Sequence, residues 1–419
     1  MTSGDALLAA LKQLAEASFP QIFDPAQALK VAGLPSRGFF PALLVPACHP
    51  ASAAAKDALA GDPDLRGFHE AGDTGVFVTS SLGTGWRLTA EQLVPSIIGS
   101  AANRVLADSD SVPGPEELVV AAEEVLGEFR RLVRGEEVPA TTLVAFEGFA
   151  VGSARIELPW GVLRAAREFE CRIPTFATDD PTAVLVLRVP NRVRLGDADD
   201  ASFFDQDSTA RLKLVVEQLP LALLLAIERP DFVVADWLWQ THLLPAQAGW
   251  GFAGPGSPRL FPRRTGAPLN SNEIAQLQEW SVRVADHYDP SIHVAVRRIR
   301  TAIRERVDAE DAVIDAVVAW ENLFGHGGQT EVIFRVTTAL AILLEQDVRR
   351  RSQLRSRLSK VYGVRSTVVH GGELQPRDDL QRRKELAIKT AVAALRRLFR
   401  DRPELIHDRQ RGLRLILGE

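Results

Sequence analysis

The sequence predicts an α+β protein in which a mixed region of helices and strands precedes an all-α helical bundle. Apolar residues recur at helical spacing in the first third of the chain and then alternate with a period of two. Helical spacing returns after a Gly/Pro-rich run at 249–268. We therefore expect an N-terminal α+β region at 1–268 and a helical domain at 269–419. A further division of the first region into 1–135 and 136–268 stays open.

The composition is that of an ordinary globular protein. The 419 residues suffice for two or three domains, and 46% of them are hydrophobic and 25% charged. Cys48 and Cys171 are the only cysteines, which excludes a disulfide framework and fits a reducing compartment. The longest apolar run, 219–227, is too short to cross a bilayer, and the N-terminus lacks the pattern of a signal peptide. We therefore expect a cytoplasmic protein that does not contact a membrane.

The N-terminal third contains three predicted helices and one predicted strand. The first helix covers residues 5–18, where leucines recur on one side, and we expect it to end before Pro20. A short strand is predicted at 75–80. Helical patterns follow at 89–107 and 116–133, and the second has acidic residues in its first turn and arginines near its end, as the helix dipole favours.

The middle of the chain is predicted to form a sheet, because apolar and polar residues alternate between turn residues. Trp237 and Trp239 lie in a further apolar stretch at 231–240. They could form a stacking platform for nucleic acid, but a strand of the hydrophobic core is the interpretation that we favour. The other predicted strands cover residues 142–146, 154–158, 161–164, 182–189 and 210–216.

The C-terminal region is predicted to be helical throughout. Asn270 offers a cap to a helix that ends near Tyr288. A glycine-rich turn begins at Gly325, and Thr330 opens a helix that runs into three consecutive arginines. The helices are expected at 270–288, at 291–324 with a break near 307, from 330 to 351, around 361–372, and at 378–399.

The two regions differ in charge. Residues 290–419 contain 25 Lys and Arg against 17 Asp and Glu, a net charge of +8, whereas residues 1–289 contain 24 against 37, a net charge of −13. An excess of arginine on one domain is typical of proteins that bind a polyanion, and it is also typical of a solvated helix face. Both interpretations stay open on charge alone.

The segment that indicates a chemical function lies at 361–372. Its Arg365 and His370, separated by four residues, supply a permanent cation and a side chain that titrates near neutral pH. Imidazole can take the proton of an RNA 2′-hydroxyl as that oxygen attacks the neighbouring phosphate, and a guanidinium suits the charge that grows on the phosphate oxygens. The same spacing recurs at Arg402 and His407, where a proline follows the arginine, and we attribute that copy to chance.

The flanking residues place this motif near the end of a half-buried helix. Valines recur at helical spacing through the segment, and Gly371–Gly372 is a helix stop just past the histidine. Five positions at ~100° each leave Arg365 and His370 ~140° apart on an ideal helix. One copy therefore does not make a compact site, whereas a two-fold partner that presents a second copy would.

Three segments of the C-terminal region together resemble a known family. They cover residues 309–323, 331–335 and 362–372. In residue type, order and spacing they resemble the Apea-like branch of the HEPN superfamily. That family has an all-helical domain that usually dimerises, with its Arg-to-His motif at the dimer interface.

The resemblance implies metal-independent ribonuclease activity, with Arg365 and His370 as the catalytic pair. It also implies a polar residue after the arginine and charged residues on the two preceding helices. Ser366 is the polar residue, and Glu321 and Arg335 are the charged ones. We expect these three residues and Tyr362 to support the catalytic pair.

We therefore expect an endoribonuclease that acts on RNA as a homodimer through its C-terminal domain and leaves a 2′,3′-cyclic phosphate. No metal or other cofactor is expected, because no ligand cluster accompanies the motif. The resemblance alone adds a role in antiviral defence or as a toxin. The alternative is a non-catalytic HEPN module that dimerises and binds nucleotide or RNA, and the retention of both Arg365 and His370 favours the enzyme. The N-terminal region is predicted to be a sensor or regulatory region.

Overall fold

The computed structural model has an α+β fold, as the sequence predicts. Within the described residues, the chain forms 13 helices and two antiparallel sheets. The sheets lie in the N-terminal part, and the C-terminal part is helical. The residues that the structure describes are 3–23, 45, 49–108, 113–167, 170, 180–196, 203–229, 235–247, 252–253, 268–325, 331–369 and 376–419.

The N-terminal helices pack around a hydrophobic core of their own. The predicted helices are confirmed, but the end predicted for the first one is wrong, because it continues through Pro20. Burial of Ile22, which is 3% exposed, offsets the hydrogen bond that the proline removes. The helices are α1 (Ser3–Phe23), α2 (Pro50–Leu59), α3 (Arg66–Ala71), α4 (Ala90–Asp108) and α5 (Pro115–Val133).

Nine strands form the two sheets of the described ranges. They are β1 (Val76–Ser80), β2 (Gly85–Leu88), β3 (Val138–Glu147), β4 (Ile156–Leu158), β5 (Gly161–Ala165), β6 (Ala183–Asn191), β7 (Val193–Leu195), β8 (Asp236–Leu243) and β9 (Phe252–Ala253). The small sheet has the strand order β2-β1-β7, and the large sheet has the order β4-β5-β6-β3-β8-β9. The predicted strands are confirmed where the structure describes them, except the one at 210–216; of the stretch predicted at 231–240, residues 236–240 form a strand and residues 231–234 lie outside the described ranges. The Gly/Pro-rich run that follows β8 lies mostly outside the described residues.

The large sheet is covered on both faces. Along β3, Val144 and Phe146 belong to the main hydrophobic core, whereas Leu143 and Ala145 pack in a separate cluster with Trp239. Successive side chains of a strand point to opposite faces, so these two clusters lie on the two sides of the sheet. Trp239 is 2% exposed, which confirms that it belongs to the core.

Helix α6 (Gln206–Ala226) takes the place of a predicted strand. The strand prediction for 210–216 is wrong because a strong helix start precedes this stretch. The Asp205 side chain caps the helix by accepting two backbone hydrogen bonds, at 3.0 and 3.2 Å. Leu212 and Val215, three residues apart, are both buried, as expected for the inner face of a helix.

Seven helices form the C-terminal part within the described residues. Asn270 caps the first of them, and the break predicted near residue 307 is confirmed. The continuous helix predicted from 330 to 351 is wrong, because Asp347 accepts a hydrogen bond from Arg350 N at 2.8 Å and starts a new helix. The helices are α7 (Ser271–His287), α8 (His293–Arg304), α9 (Ala309–Phe324), α10 (Val332–Leu344), α11 (Val348–Val369), α12 (Arg377–Asp401) and α13 (Arg411–Leu417). Across the described ranges, none of the helices is both long and apolar enough to span a membrane.

The C-terminal helices and the large sheet share the main hydrophobic core. Two arginines of α8 also pair with carboxylates of the sheet. Arg300 Nη2 lies 2.6 Å from Asp236 Oδ1 at the start of β8, and Arg304 Nη2 lies 2.7 Å from Glu147 Oε1 at the end of β3. Both parts of the chain therefore meet across apolar and charged contacts, and the division at residue 268 remains a prediction, as does the one at 135.

Candidate active site

Helix α11 carries Arg365 of the predicted motif, and its last residue is Val369. Val361 and Val364 are at most 5% exposed and hold one face of α11 against the bundle. Arg365 follows them in the last two turns of the helix, with about a third of its side chain exposed. His370 and Gly371–Gly372 lie outside the described residues.

Helix α9 presents Glu321 to α11. The residues on either side of Glu321 are fixed by hydrogen bonds to other helices. Trp320, which is fully buried, donates from Nε1 to the Ala387 carbonyl oxygen of α12 at 3.2 Å. The Asn322 side chain accepts a hydrogen bond from Ala295 N of α8 at 3.1 Å. These contacts hold the end of α9, and with it the Glu321 carboxylate, in a defined position.

Two side chains of α11 converge on one oxygen atom of Glu321. The Tyr362 hydroxyl donates a hydrogen bond to Glu321 Oε1. Arg365 Nη1 lies 3.2 Å from the same oxygen. The guanidinium carbon of Arg365 also lies 5.8 Å from the centroid of the Tyr362 ring, which is within the range of a cation–π contact. The phenol, the guanidinium and the carboxylate thus form one cluster.

Tyr362 acts as a hydrogen-bond donor in this cluster. Only 4% of the residue is exposed. Burial raises the pKa of its hydroxyl above the usual value, and the hydrogen bond to Glu321 raises that pKa further. The phenol therefore keeps its proton at neutral pH and fixes the carboxylate that pairs with Arg365.

Arg365 retains donors for a further ligand. Its Nε atom is buried and has no hydrogen-bond partner among the residues that the structure describes. A guanidinium has five N–H donors, so the contact with Glu321 uses only a part of them. At 34% exposure of the arginine side chain, the ion pair contributes only ~0–1 kcal/mol to stability. The pair therefore orients the guanidinium more than it stabilises the fold.

The other two supporting residues occupy different positions. Arg335 on α10 donates from Nη2 to the backbone oxygen of Gly325 at 3.3 Å. Gly325 is the C-cap of α9, so Arg335 ties the start of α10 to the helix that carries Glu321. Ser366 is exposed on α11. The structure therefore gives Arg335 a positioning contact and leaves Ser366 at the surface.

The link between Gly325 and Glu321 was missed in the sequence. A Cβ atom at Gly325 would lie 2.6 Å from the backbone oxygen of Glu321, which is closer than a side chain tolerates. The Gly325 amide donates to that same oxygen at 2.7 Å. The signal for this role was a glycine directly after a helix, but the pattern alone only indicated a turn.

The second copy of the Arg-to-His spacing makes separate structural contacts. Arg402 Nε lies 2.6 Å from Glu404 Oε1, and His407 Nδ1 lies 3.2 Å from Asp289 Oδ2. Each residue therefore has its own carboxylate partner. These two residues offer a matched control for the motif on α11.

The groups around Arg365 suit a phosphate ligand better than a metal ion. In the described ranges, no three His, Cys, Asp or Glu side chains are grouped so that they could hold a metal ion. Glu321 is already bound by a phenol and a guanidinium. What the site offers is a cation with free N–H donors, which match phosphate oxygens.

Comparisons with family models, with curated proteins and with solved structures find no match to this chain. The family resemblance and the activity that it implies therefore stay predictions. The features that bear on a function are the geometry around Glu321 and the sequence from Arg365 to His370.

Proposed function

We propose that the chain is a metal-independent endoribonuclease of the HEPN type that cleaves RNA as a homodimer. The observation that carries the proposal is the fixed position of Arg365, whose guanidinium is held by Glu321 and Tyr362. In the sequence, Arg365 precedes His370 by five positions. Cleavage of RNA at its own 2′-hydroxyl requires proton transfer and stabilisation of charge on the phosphate, and an imidazole and a permanent cation can supply these two effects.

In the proposed reaction, His370 accepts the proton of the 2′-hydroxyl, and the 2′-oxygen attacks the adjacent phosphorus. The bond from phosphorus to the 5′-oxygen breaks, and the imidazolium of His370 returns the proton to that leaving oxygen. The products are a 2′,3′-cyclic phosphate and a 5′-hydroxyl. Arg365 stabilises the charge that develops on the phosphate oxygens, and Glu321 keeps its planar group in place.

The dimer is proposed on geometry as well as on the resemblance. Arg365 and His370 diverge by ~140° on an ideal helix, so a second copy across a two-fold axis is needed to bring an arginine next to a histidine. Two guanidinium groups near one axis would repel each other. The Glu321 carboxylate, 3.2 Å from Arg365, supplies one negative charge per protomer and reduces that repulsion.

The test is to incubate the purified full-length chain with mixed RNA in excess EDTA and to identify the fragment ends. We expect 2′,3′-cyclic phosphate ends, and we expect the His370→Ala variant to produce none. His407→Ala is the matched control. It removes the histidine that follows Arg402 at the same spacing, and it should leave cleavage unchanged. Binding of RNA without any cleavage would favour the non-catalytic module, and activity that returns only with a divalent metal would exclude the proposed mechanism.

A further inference from the structure

A pocket of about 560 Å³ lies between the first turn of α10 and the middle of α11. Its volume is within the range of sites that hold small ligands. Its walls combine an aromatic ring, aliphatic side chains, a cation, a carboxylate and a hydroxyl. The lining residues are Glu331, Val332, Ile333, Phe334, Arg355 and Ser359.

Phe334 is the notable residue of this pocket because it lies outside the hydrophobic core. The buried stripe of α10 is formed by Val336, Ala339 and Leu340, none of which is exposed to solvent. Phe334 and Ile333 lie off this stripe and are 50% and 44% exposed. Large apolar side chains that are exposed next to a pocket are typical of a binding surface.

Arg355 is stacked on Phe334. Its guanidinium carbon lies 5.3 Å from the centroid of the phenyl ring. Aromatic rings and guanidinium planes are groups on which proteins stack unpaired nucleobases. Glu331 and Ser359 add a hydrogen-bond acceptor and a hydroxyl, which can bind the edge of a base.

The helix that carries Arg355 is unusually basic. Between Val348 and Val369 it has seven Lys and Arg and no Asp or Glu. Four of these basic side chains are exposed, and none of the four pairs with a carboxylate in the part of the chain that the structure describes. Like charges on successive turns of a helix repel, and a polyanion relieves that repulsion. The four residues are Arg349, Arg350, Arg357 and Lys360.

The pocket borders the candidate active site. Ser359 precedes Arg365 by six positions on α11, which is roughly 9 Å along the helix axis. On the other wall, Phe334 directly precedes Arg335, which donates to Gly325 at the end of α9. A short single strand can therefore reach both the pocket and Arg365.

We propose that this pocket binds one unpaired nucleobase of single-stranded RNA, which stacks on Phe334 beside Arg355. The exposed basic residues of α11 bind the phosphates that lead from this base towards Arg365. The identity of the ligand rests on the proposed function, but the site itself rests on the stacked pair and the charge of α11.

The probe is a fluorescent oligoadenylate of 2′-O-methyl nucleotides, which the proposed reaction cannot cleave, and its binding is measured by fluorescence anisotropy. We expect Phe334→Ala to weaken binding roughly tenfold, as the loss of one stacked base does. Phe334→Trp should keep the affinity because it keeps a flat ring. Phe334→Leu should lose it because leucine offers apolar surface without a ring face. Phe204→Ala is the matched control, since Phe204 is also an exposed phenylalanine, at 38%, but lies in the N-terminal part.

Equal affinity of the wild type and Phe334→Ala, or no binding of the probe by the wild type, would overturn the inference. A change from dimer to monomer in Phe334→Ala, seen by light scattering while RNA affinity is kept, would assign the surface to a second copy of this chain and would also overturn it. Because the probe is not cleaved, the proposed function is tested separately. A chain that cleaves no natural RNA but binds the probe through Phe334 would lose the proposed function and keep this site.

Discussion

The side chains of Glu321 and Tyr362, 41 residues apart in the chain, join α9 to α11 through a hydrogen bond. The carboxylate oxygen that accepts this bond is also the one nearest to Arg365. The orientation of the Arg365 guanidinium therefore depends on a phenol that need not touch the RNA. This relationship makes Tyr362 a positioning residue whose contribution can be measured.

Tyr362→Phe is expected to lower kcat/KM for RNA cleavage about tenfold and the free energy of unfolding by about 1 kcal/mol. Phenylalanine keeps the ring beside Arg365 but removes the donor that fixes the Glu321 carboxylate. Cleavage of a defined RNA and unfolding in urea measure the two effects.

Tyr288→Phe is the matched control, because Tyr288 is the other tyrosine of the chain and its hydroxyl donates to Glu217 Oε2 at 2.6 Å. The control should lose a similar amount of stability and keep its cleavage rate. An equal loss of cleavage in both variants would show that Tyr362 acts through stability alone.

Arg365→Lys is expected to reduce cleavage by about 100-fold, because lysine keeps the positive charge but loses the planar fork that binds two phosphate oxygens. The measurement is kcat under saturating RNA. Arg402→Lys, in the second copy of the spacing, should have no effect on the rate. Wild-type rates in Arg365→Lys would show that only the local positive potential matters.

The helices with strong local signals could be predicted from the sequence, and the ambiguous stretch at 210–216 could not. There, Leu212 and Leu214 fit the alternation of a strand, whereas Leu212 and Val215 fit a helix. The cap at Asp205 and the packing of the apolar face in the main hydrophobic core decide for the helix, and Leu214 is left 37% exposed. A short window of sequence contains both patterns and does not contain the packing that chooses between them.

The residue types of the candidate site could be predicted in the same way, but not their contacts. Spacing on α11 places Tyr362 and Arg365 three residues apart and therefore near the same face of the helix. Their meeting at Glu321 depends on the distance between α9 and α11, which no local pattern contains. The pocket at Phe334 could not be predicted for a similar reason. In the sequence, an apolar residue of an apolar helix is expected to be buried, and only the packing of the neighbouring helices shows that Phe334 is exposed.

The stability of the large sheet is expected to fall in acid because of His242. This histidine of β8 is 7% exposed, and its Nδ1 lies 2.8 Å from Thr142 Oγ1 of β3. Burial lowers the pKa of His242 from 6.5 to about 4. Between these two values the unfolded chain binds a proton that the folded chain does not, so lowering the pH through this range favours unfolding.

Protonation of His242 lowers the free energy of unfolding by about 3 kcal/mol in total, and this loss is complete only below about pH 4. His242→Gln is expected to remove this contribution to the pH dependence of the free energy of unfolding, since glutamine does not titrate. The free energy of unfolding in urea, measured at a series of pH values, compares the two slopes. Identical slopes in the wild type and the variant would contradict the prediction.

Mixing an inactive His370→Ala chain with an inactive Arg365→Ala chain is expected to restore RNA cleavage. The two side chains diverge on an ideal helix, so each site should take Arg365 from one protomer and His370 from its partner. In a mixed dimer, one of the two composite sites then has both residues. Random exchange makes half of the dimers mixed, so about a quarter of the wild-type activity should return.

Co-expression of the two variants with different affinity tags isolates the mixed dimers, and each variant alone serves as the control. If verified mixed dimers stay inactive, each chain must carry both residues of its own site, because neither parent chain then has a complete set. A protein that is monomeric and cleaves at the full rate would exclude the two-fold site altogether. The isolated mixed dimers should reach about half of the wild-type activity, because one of their two sites is complete. That recovery, with no activity in either variant alone, is the result that only a site shared between two protomers produces.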